Sequence, residues 1–277
     1  MSTSASATLP SPGPASAALP GAAWRATARR WALAWLLPLS LLALWQLSAR
    51  HGWLPDQVLP APGAVAQVFW DSLRSGELLE NLRISLQRVL SGFALGTAVG
   101  LPLGLAMGLS PTAKDYLAPN FKAFAQVPVL GWLPFLMLLV GIDEALKVLL
   151  IAKAALVPVT LNTVQGVEQV PPRLLELARV LRFSRWQVLS RVVLPAAFAP
   201  IWTGVRYGFT HAWLALVVVE LLASSEGLGF MIVYGRQLFQ LDVVLAAVIV
   251  VGAVGLLLDK LLALTERHLL RWRKEAF

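Results

Sequence analysis

The residue types that most often carry chemistry are few in this chain and widely separated. None of its 277 residues is cysteine, which excludes disulfides, thiolate zinc sites and cysteine nucleophiles. The histidines, His51, His211 and His268, are kept apart by long apolar runs and cannot jointly hold a metal ion. The glycine–lysine loop that binds ATP phosphates in Walker A proteins is absent from the sequence. We therefore expect no enzyme site, no metal site and no ATP hydrolysis in this polypeptide.

A second group of candidates consists of polar or aromatic side chains inside apolar segments. Lys153 lies about nine residues into one such segment, and intramembrane charges are costly unless they face a bundle interior or a water-filled cavity. Lys153 could attract an anion, snorkel to the interface or bond a neighbouring carbonyl. His211, Trp213 and Glu220, in a later segment, are weaker candidates for a solute path. His211 could equally be a packing residue, and Glu220 could cap or anchor an interface.

The composition indicates that these candidates lie in a membrane protein. Only 14% of the residues are charged and 57% are hydrophobic, whereas a soluble domain carries about 25% charged residues. Apolar runs of about 18 or more residues recur, each long enough to cross a ~30 Å hydrocarbon core. The net charge of +8 could indicate nucleic acid, but no basic stripe with interleaved aromatic residues accompanies it. The sequence predicts an all-α polytopic protein in a lipid bilayer, with no nucleic-acid partner.

Six apolar segments are long enough to be transmembrane helices: 31–47, 85–109, 116–141, 145–165, 200–223 and 243–264. Arginine clusters precede the first, separate the fourth from the fifth and follow the sixth. An even number of crossings puts all three clusters on one side, and basic loops mark the cytoplasmic side. We therefore predict that both termini are cytoplasmic. The first segment does not read as a signal peptide, because its leader is too long and no small-x-small cleavage site is convincing.

These segments divide the chain into three predicted parts. Residues 1–30 are rich in Ser, Ala and Pro, which predicts a disordered cytoplasmic tail. Residues 31–265 form the transmembrane domain, with a cytoplasmic loop at about 167–198. Residues 266–277 form a basic cytoplasmic tail.

Glycine and proline indicate where the predicted helices pack or bend. Glycine recurs at every fourth position of the second span: Gly92, Gly96, Gly100, Gly104 and Gly108. Each step of four advances about 40° around a helix, so the glycines form a winding groove that another helix can approach closely. Direct contact with a solute is the alternative. The third span contains Pro119, Pro128 and Pro134, which bend a helix and should face protein or a water-filled path.

The cytoplasmic loop has a helical pattern of its own. Pro172 can begin a helix, because its missing N–H is not needed in the first turn. Ser184 and Gln187 fit an S-x-x-Q capping box that begins a second helix, and Pro195 is predicted to end it. The result is two short amphipathic helices at the cytoplasmic surface, although a pair lying on lipid would show the same pattern. The apolar face of the first has helical spacing: Leu174, Leu177, Ala178 and Leu181.

Several of these residues resemble those of a known family. Glu176-Leu177-Ala178, followed by Ser184 and by Val193-Leu194-Pro195, resembles the EAA loop of permease subunits in bacterial ABC importers. The resemblance covers about residues 35–270 and favours the branch that handles aliphatic sulfonates, taurine and nitrate. Four further motifs carry it: Ser85-Leu86-Gln87-Arg88, Val127-Pro128 with Leu133-Pro134, Gly141-Ile142-Asp143-Glu144, and Gly227-Leu228-Gly229-Phe230.

The resemblance implies a type I importer permease (MetI-like) fold with six transmembrane helices in the bacterial inner membrane. It also implies a homodimer, two ATPase subunits that bind ATP and Mg²⁺, and an external solute-binding protein, with no cofactor in this chain. The implied solute is a small oxyanion, with aliphatic sulfonate first and taurine or nitrate as alternatives. In this family the EAA loop docks into the ATPase, which implies a coupling role for Glu176, Leu177, Ala178, Arg182, Ser184, Leu194 and Pro195.

Two other classes of function compete with a permease. An ion-coupled secondary transporter would need no ATPase and would usually show an inverted internal repeat, of which we see no clear sign. A membrane-embedded enzyme or a lipid-interacting scaffold is disfavoured by the missing catalytic cluster.

Two local predictions remain to be tested against the structure. The family usually has glycine at the position of Arg182, and arginine in a left-handed turn costs about 1–2 kcal/mol. The turn at Arg182 is therefore either right-handed or strained. Asp143 and Lys147, four residues apart at the start of the fourth span, are predicted to form a local ion pair.

Overall fold

The computed structural model describes residues 20–55 and 57–269, with side chains from residue 33. Two compact units divide the chain, residues 1–56 and 57–277. Within the described ranges the regular structure is helical throughout and contains no strands. The predicted disordered tail, residues 1–30, is described only from residue 20, and the predicted basic tail, residues 266–277, only as far as residue 269. The described parts of both are helical.

In the first unit, a single helix, α1, runs from Pro20 to His51. It begins earlier than the predicted start at residue 31. Its first turns contain several alanines, which have the highest helix propensity, and proline is tolerated at a helix start. The first span is therefore one continuous helix, with an apolar stretch at Leu33–His51 long enough to cross a membrane.

The second unit contains ten α-helices among its described residues. Their bounds are α2 Pro62–Ser75, α3 Glu77–Leu109, α4 Pro111–Gln126, α5 Leu133–Val140, α6 Glu144–Glu168, α7 Pro172–Val180, α8 Arg185–Val188, α9 Leu194–Ala223, α10 Leu228–Gln237 and α11 Leu241–Leu269. The end that carries α7 is named the α7 end, and the opposite end, where α9 leads into α10, is named the α10 end.

Four helical stretches of the described residues meet the length and hydropathy expected of membrane crossings: Leu33–His51, Glu77–Leu109, Arg185–Ala223 and Leu241–Leu269. The third predicted span is broken, since α4 and the helix from Val129 to Val140 meet at an angle of 93°. Val127 is extended at the break and Pro128 follows it. Pro128 therefore bends this span as predicted, whereas Pro119 lies inside the continuous helix α4 and Pro134 in the first turn of α5. Counting the bent pair as one crossing makes five.

The remaining predicted span, α6, lies between α3 and α9. An added Cβ at Gly92 would meet Ile151 at 2.6 Å, and one at Gly108 would meet Val167 at 2.7 Å. α6 therefore runs parallel to α3 over this whole stretch and lies at the same depth. Because its neighbours cover it, α6 can cross the apolar layer while carrying two buried lysines.

All five glycines of the second span face α6. At each position an added Cβ would lie within about 3.1 Å of an α6 atom, including Ala155 Cβ at 2.9 Å from Gly96 and Thr163 Cβ at 2.6 Å from Gly104. On the other side of α6, Gly204 and Gly208 of α9 approach it as closely. Small residues thus bring three helices together at the centre of the unit.

Pro195 does not end the second helix of the loop, which corrects the prediction. α8 continues through a π turn at Leu189–Val193 directly into α9, so one helix extends from Arg185 to Ala223. Proline lacks an N–H and crowds the carbonyl four residues earlier. The π turn widens the helix just before Pro195 and accommodates its ring.

Candidate functional site

At the α7 end, α7 stops in a left-handed turn at Arg182. Arg182 has φ +50°. Its N–H donates to the carbonyl of Arg179, and the Phe183 N–H donates to the carbonyl of Ala178, both at 3.0 Å. This pair of bonds forms a Schellman turn, a motif in which glycine is usual. Of the two geometries that the sequence left open, the structure has the strained one.

The second helix begins with the predicted capping box. The Gln187 N–H donates to Ser184 Oγ at 3.3 Å, and the Ser184 N–H donates to Gln187 Oε1 at 2.8 Å. The left-handed turn at Arg182 and the cap at Ser184 are only two residues apart. Together they fix the direction of α8 relative to α7.

The α7–α8 segment, residues 172–188, exposes apolar side chains. Val180 is 78% exposed and Trp186 is 70% exposed, while Ala178 is buried. Behind α7 lies a cavity of about 490 Å³, lined in part by Leu174, Phe183 and Pro195. Exposed apolar side chains on capped surface helices are typical of a docking site. The remaining coupling candidates follow this pattern: Glu176 and Leu177 are exposed, and Leu194 is half-buried.

At the α10 end, Arg88 of α3 is the centre of a buried polar network. Its side chain is 3% exposed. Nε and Nη2 donate to both carboxylate oxygens of Glu144 at 2.7 and 2.6 Å, and Nη1 donates to Glu220 Oε1 at 2.9 Å. Nη1 also donates to Ser224 Oγ and to the Glu226 carbonyl. Arg88 therefore joins the ends of α3, α6 and α9 through charge-assisted bonds.

Glu220 of α9, which is 1% exposed, anchors the start of α10. Ser85 Oγ and the Gly229 N–H both donate to its carboxylate, and the Leu228 N–H donates to Ser85 Oγ at 2.9 Å. The carboxylate thus satisfies donors of the first turn of α10, where a negative charge also suits the helix dipole. Gly227, at φ +104°, leaves room for it, since an added Cβ would collide with the Glu220 carboxylate.

This network brings together three motifs that the sequence showed only as separate fragments. Ser85 and Arg88 come from the Ser85–Arg88 motif, Glu144 comes from the Gly141–Glu144 motif, and Gly227–Gly229 belongs to the Gly227–Phe230 motif. Sequence reasoning attached no role to Arg88, because nothing along the chain links it to Glu220 across 132 positions. Lys147 Nζ donates to Glu144 Oε1 at 2.6 Å. The predicted pairing of Lys147 with Asp143 is therefore wrong, because Asp143 is the extended N-cap residue before α6, whereas Glu144 is the first residue of the helix.

Between the two ends lies a cavity of about 570 Å³, lined by the α4–α5 break, α6 and α9. Lys153 lines it, is 9% exposed, and donates to the carbonyl of Val127. Its Nζ also lies 5.4 Å from the centre of the Phe124 ring. His211 lines the cavity from α9, and its Nδ1 donates to the Tyr207 carbonyl at 2.8 Å.

The four solute-path candidates are not together. Lys153 and His211 both face the cavity of about 570 Å³. Trp213 is buried in the apolar core beside α11, where an added Cβ at Gly255 would lie 2.7 Å from its Nε1. Glu220 is held in the polar network, as the anchoring alternative expected. Sequence reasoning missed Asn162, which lines the cavity and donates to the Pro158 carbonyl at 2.9 Å.

Comparison with known proteins places this architecture in a family. The family described as "binding-protein-dependent transport system inner membrane component" matches residues 98–271. A putative aliphatic sulfonates transport permease protein from Bacillus subtilis is 42% identical over 243 residues, covering 88% of each chain. Its namesake from Escherichia coli is 39% identical over 238 residues, covering 86% of this chain and 90% of the relative.

A taurine transport system permease protein from Escherichia coli is 34% identical over 257 residues, covering 89% of this chain and 94% of the relative. The matched region includes the α7–α8 segment, the cavity helices α6 and α9, and the last span. The all-α, multi-pass membrane architecture agrees with the type I importer permease fold of this family. The chain belongs to the binding-protein-dependent transport system inner membrane component family and is an ABC transporter permease.

Proposed function

We propose that this protein is the membrane-spanning subunit of an ATP-driven importer for aliphatic sulfonates, and that it catalyses no reaction itself. The observation that carries the proposal is the α7–α8 segment. This segment is held rigid by a Schellman turn and a capping box, yet it exposes Val180 and Trp186 to its surroundings. Two short helices that are fixed in direction and apolar outside suit docking to a protein partner.

The partner we infer is an ATPase subunit that binds ATP and Mg²⁺. Two such subunits would serve a homodimer of this chain, with the α7 end and both termini in the cytoplasm. An external solute-binding protein would then deliver the solute at the α10 end. The basic residues between α6 and α9 support this orientation, because positively charged loops remain cytoplasmic.

The π turn suggests how ATPase closure would reach the solute. α8 is continuous with α9, so a force on the α7–α8 segment acts on one end of a helix that extends from Arg185 to Ala223. The same helix lines the cavity through His211 and ends in the polar network at Glu220. A displacement of α8 therefore tilts α9 against α6 and changes the opening of the cavity. Such rigid-body movement would alternate access between the two sides.

The sulfonate assignment is supported by the relatives, two of which are named as aliphatic sulfonate permeases. Taurine, the substrate in the name of a third relative, is the first alternative, and nitrate is the second. A cavity of about 570 Å³ falls in the range of about 300–1,000 Å³ that is usual for small-molecule sites.

The test is capture of the cognate ATPase by the purified permease, followed by ATP-driven uptake of pentane-1-sulfonate into proteoliposomes with the cognate binding protein. Glu176→Lys reverses a charge on the exposed surface of α7 and is expected to abolish both capture and uptake. Glu80→Lys makes the same reversal on an exposed residue at the opposite end, where Glu80 pairs with exposed Arg83 at 3.8 Å. It should leave capture intact.

Uptake by the permease alone, without any ATPase, would overturn the proposal. Equal loss of capture in Glu176→Lys and Glu80→Lys would contradict a docking role for the α7–α8 segment. ATP-driven uptake of taurine or nitrate but not of pentane-1-sulfonate would overturn the substrate alone.

A further inference from the structure

We propose that Lys153 binds the sulfonate group of the solute inside the cavity, and that this cavity favours alkanesulfonates over zwitterionic taurine. This inference rests on the proposed function and deepens it, because it names the residue and the charge pattern that the permease itself reads. The external binding protein would select the solute first, and the cavity would then select again.

Lys153 has more hydrogen-bond donors than its protein partners use. A lysine ammonium has three N–H donors and no acceptor. One donor is used by the carbonyl of Val127, and the Phe124 ring offers a cation–π contact to the same ammonium. Among the described residues no carboxylate forms an ion pair with Lys153. Two donors of a buried cation therefore remain for a ligand, and a sulfonate offers three acceptor oxygens.

The helix break holds the ammonium in this position. Val127 ends α4 in an extended conformation, and Pro128 after it cannot continue the helix. The Val127 carbonyl is thus free to accept from Lys153, which lies on the neighbouring helix α6. The bond to one neutral carbonyl leaves the positive charge uncompensated, and an anionic ligand would compensate it.

The charge that lines the cavity is positive. Lys153 is the charged side chain there, and no carboxylate is among the described lining residues. His211 Nδ1 donates to a carbonyl, so neutral His211 presents only an acceptor at Nε2. The site therefore offers a positive charge for an anion and no negative charge for a cation.

Most of the cavity surface is apolar. Aliphatic side chains supply most of its lining, from the α4–α5 break, from α6 and from α9: Leu130, Val157, Leu161, Leu214 and Val218. An alkyl chain would be desolvated against this surface at no polar cost. The ammonium of taurine would lie against the same surface without a carboxylate, and an unpaired charge there is costly.

The experiment compares propane-1-sulfonate with taurine, which differ only in a terminal methyl against an ammonium. ATP-driven uptake is measured in proteoliposomes that contain the permease, its ATPase and the cognate binding protein, each solute at a concentration that saturates that binding protein. At saturation, the wild-type protein should transport propane-1-sulfonate at least about tenfold faster than taurine. A factor of this size corresponds to the cost of leaving one charge unpaired in a partly desolvated site. Lys153→Met should lower the maximal rate for propane-1-sulfonate about 10- to 100-fold, the loss of a charge-assisted hydrogen bond.

The split between the kinetic constants separates a solute site from a merely structural lysine. KM is expected to stay unchanged in Lys153→Met, because the binding protein sets it, and ATPase capture should also stay unchanged. Lys153→Arg should retain most of the rate. Lys260→Met removes the same charge from an exposed position on α11, away from the cavity, and should leave uptake as in wild type.

Leu214→Asp provides a gain-of-function arm by placing a carboxylate in the lining. It should raise the taurine rate relative to that of propane-1-sulfonate by about tenfold, the value of one charge-assisted bond. Unchanged propane-1-sulfonate uptake in Lys153→Met would overturn the head-group site while leaving the proposed function intact. Equal wild-type rates for the two solutes would overturn the selectivity. Uptake of neither sulfonate by wild type would overturn the proposed substrate instead.

Discussion

Arg88 and Lys153 are both buried cations on neighbouring helices, but their charges are satisfied in opposite ways. Arg88 donates to two carboxylates, a hydroxyl and a backbone carbonyl. Lys153 donates to one backbone carbonyl and faces an aromatic ring. A buried charge without a counter-charge destabilises a protein, whereas a fully bonded pair is close to neutral. The charge of Arg88 is therefore compensated within the fold, whereas the charge of Lys153 would be compensated by the sulfonate proposed above.

The two cations share the same supporting helices. α6 carries both Glu144, which pairs with Arg88, and Lys153, and α9 carries both Glu220 and His211. Charge-assisted bonds thus fix α6 and α9 at the α10 end, while the middle of both helices lines the cavity. A helix held at one end and pushed at the other can change the cavity without losing its fold.

The largest effect we predict is that of Arg88→Met. It leaves Glu220 buried without its cation, which costs about 3–5 kcal/mol of folding free energy. Thermal unfolding in detergent, followed by size-exclusion chromatography, should show a strongly lowered midpoint. Arg83→Met is the control on the same helix, because Arg83 and its partner Glu80 are exposed and such pairs are worth only about 0–1 kcal/mol.

A double variant sharpens this result. In Arg88→Met with Glu220→Gln, the neutral amide can still accept from Ser85 and from the Gly229 N–H. Part of the stability of Arg88→Met should therefore return. If the double variant is as unstable as the sum of the two single variants, the loss does not come from the unpaired Glu220 charge.

The next largest effect tests the packing that places both cations. Gly96→Ala would push a methyl group into the backbone carbonyl of Ala152, next to Lys153, and within 2.9 Å of Ala155 Cβ. Backbone cannot move aside as a side chain can, so we expect a loss near about 3 kcal/mol, the upper part of the range for overpacking. Gly252→Ala, where an added Cβ has nothing within 4 Å, should be neutral or slightly stabilising in the same unfolding assay. Equal midpoints for the two variants would contradict close contact between α3 and α6.

The packing was predictable from sequence because it has a period. Glycine at every fourth position of a helix marks one face whatever the partner is, and the capping box at Ser184 depends on residues three apart. Such local patterns do not require knowledge of the rest of the fold. The break at Pro128 follows from the chemistry of one residue in the same way.

The polar network was not predictable, because its partners are far apart in sequence. Arg88 lies 56 positions from Glu144 and 132 from Glu220, and no local rule selects these carboxylates over others. The prediction that Pro195 ends a helix was wrong for a related reason. A proline usually ends a helix, but the π turn before it has no strong sequence signal. The sequence shows Lys153 as a charge in an apolar run. That no carboxylate of the described residues pairs with it can be seen only in the structure.

Lys153→Met should change stability in the opposite direction from Arg88→Met. Replacing an uncompensated buried charge with an apolar side chain of similar length should raise the free energy of unfolding by about 1–2 kcal/mol. The unfolding midpoint in detergent should therefore rise while uptake falls. A lowered midpoint would mean that Lys153 supports the fold as Arg88 does, and the contrast between the two cations would be lost.

The smallest effect concerns a third cation, Arg182, whose cost lies in its backbone rather than in its charge. Arg182→Gly relieves the left-handed conformation at φ +50° and should stabilise the turn by about 0.5–1 kcal/mol, once the entropy of glycine is counted. Arg182→Val, which is β-branched and tolerates positive φ poorly, should destabilise it. Hydrogen exchange of the Phe183 amide, which donates to the Ala178 carbonyl, measures the turn directly. If Arg182→Gly protects this amide and leaves ATPase capture unchanged, the arginine charge is not needed for docking. If capture falls although the turn is protected, the Arg182 side chain itself contacts the ATPase. Arg182 would then be a second cation, after Lys153 in the proposal above, whose charge binds another molecule.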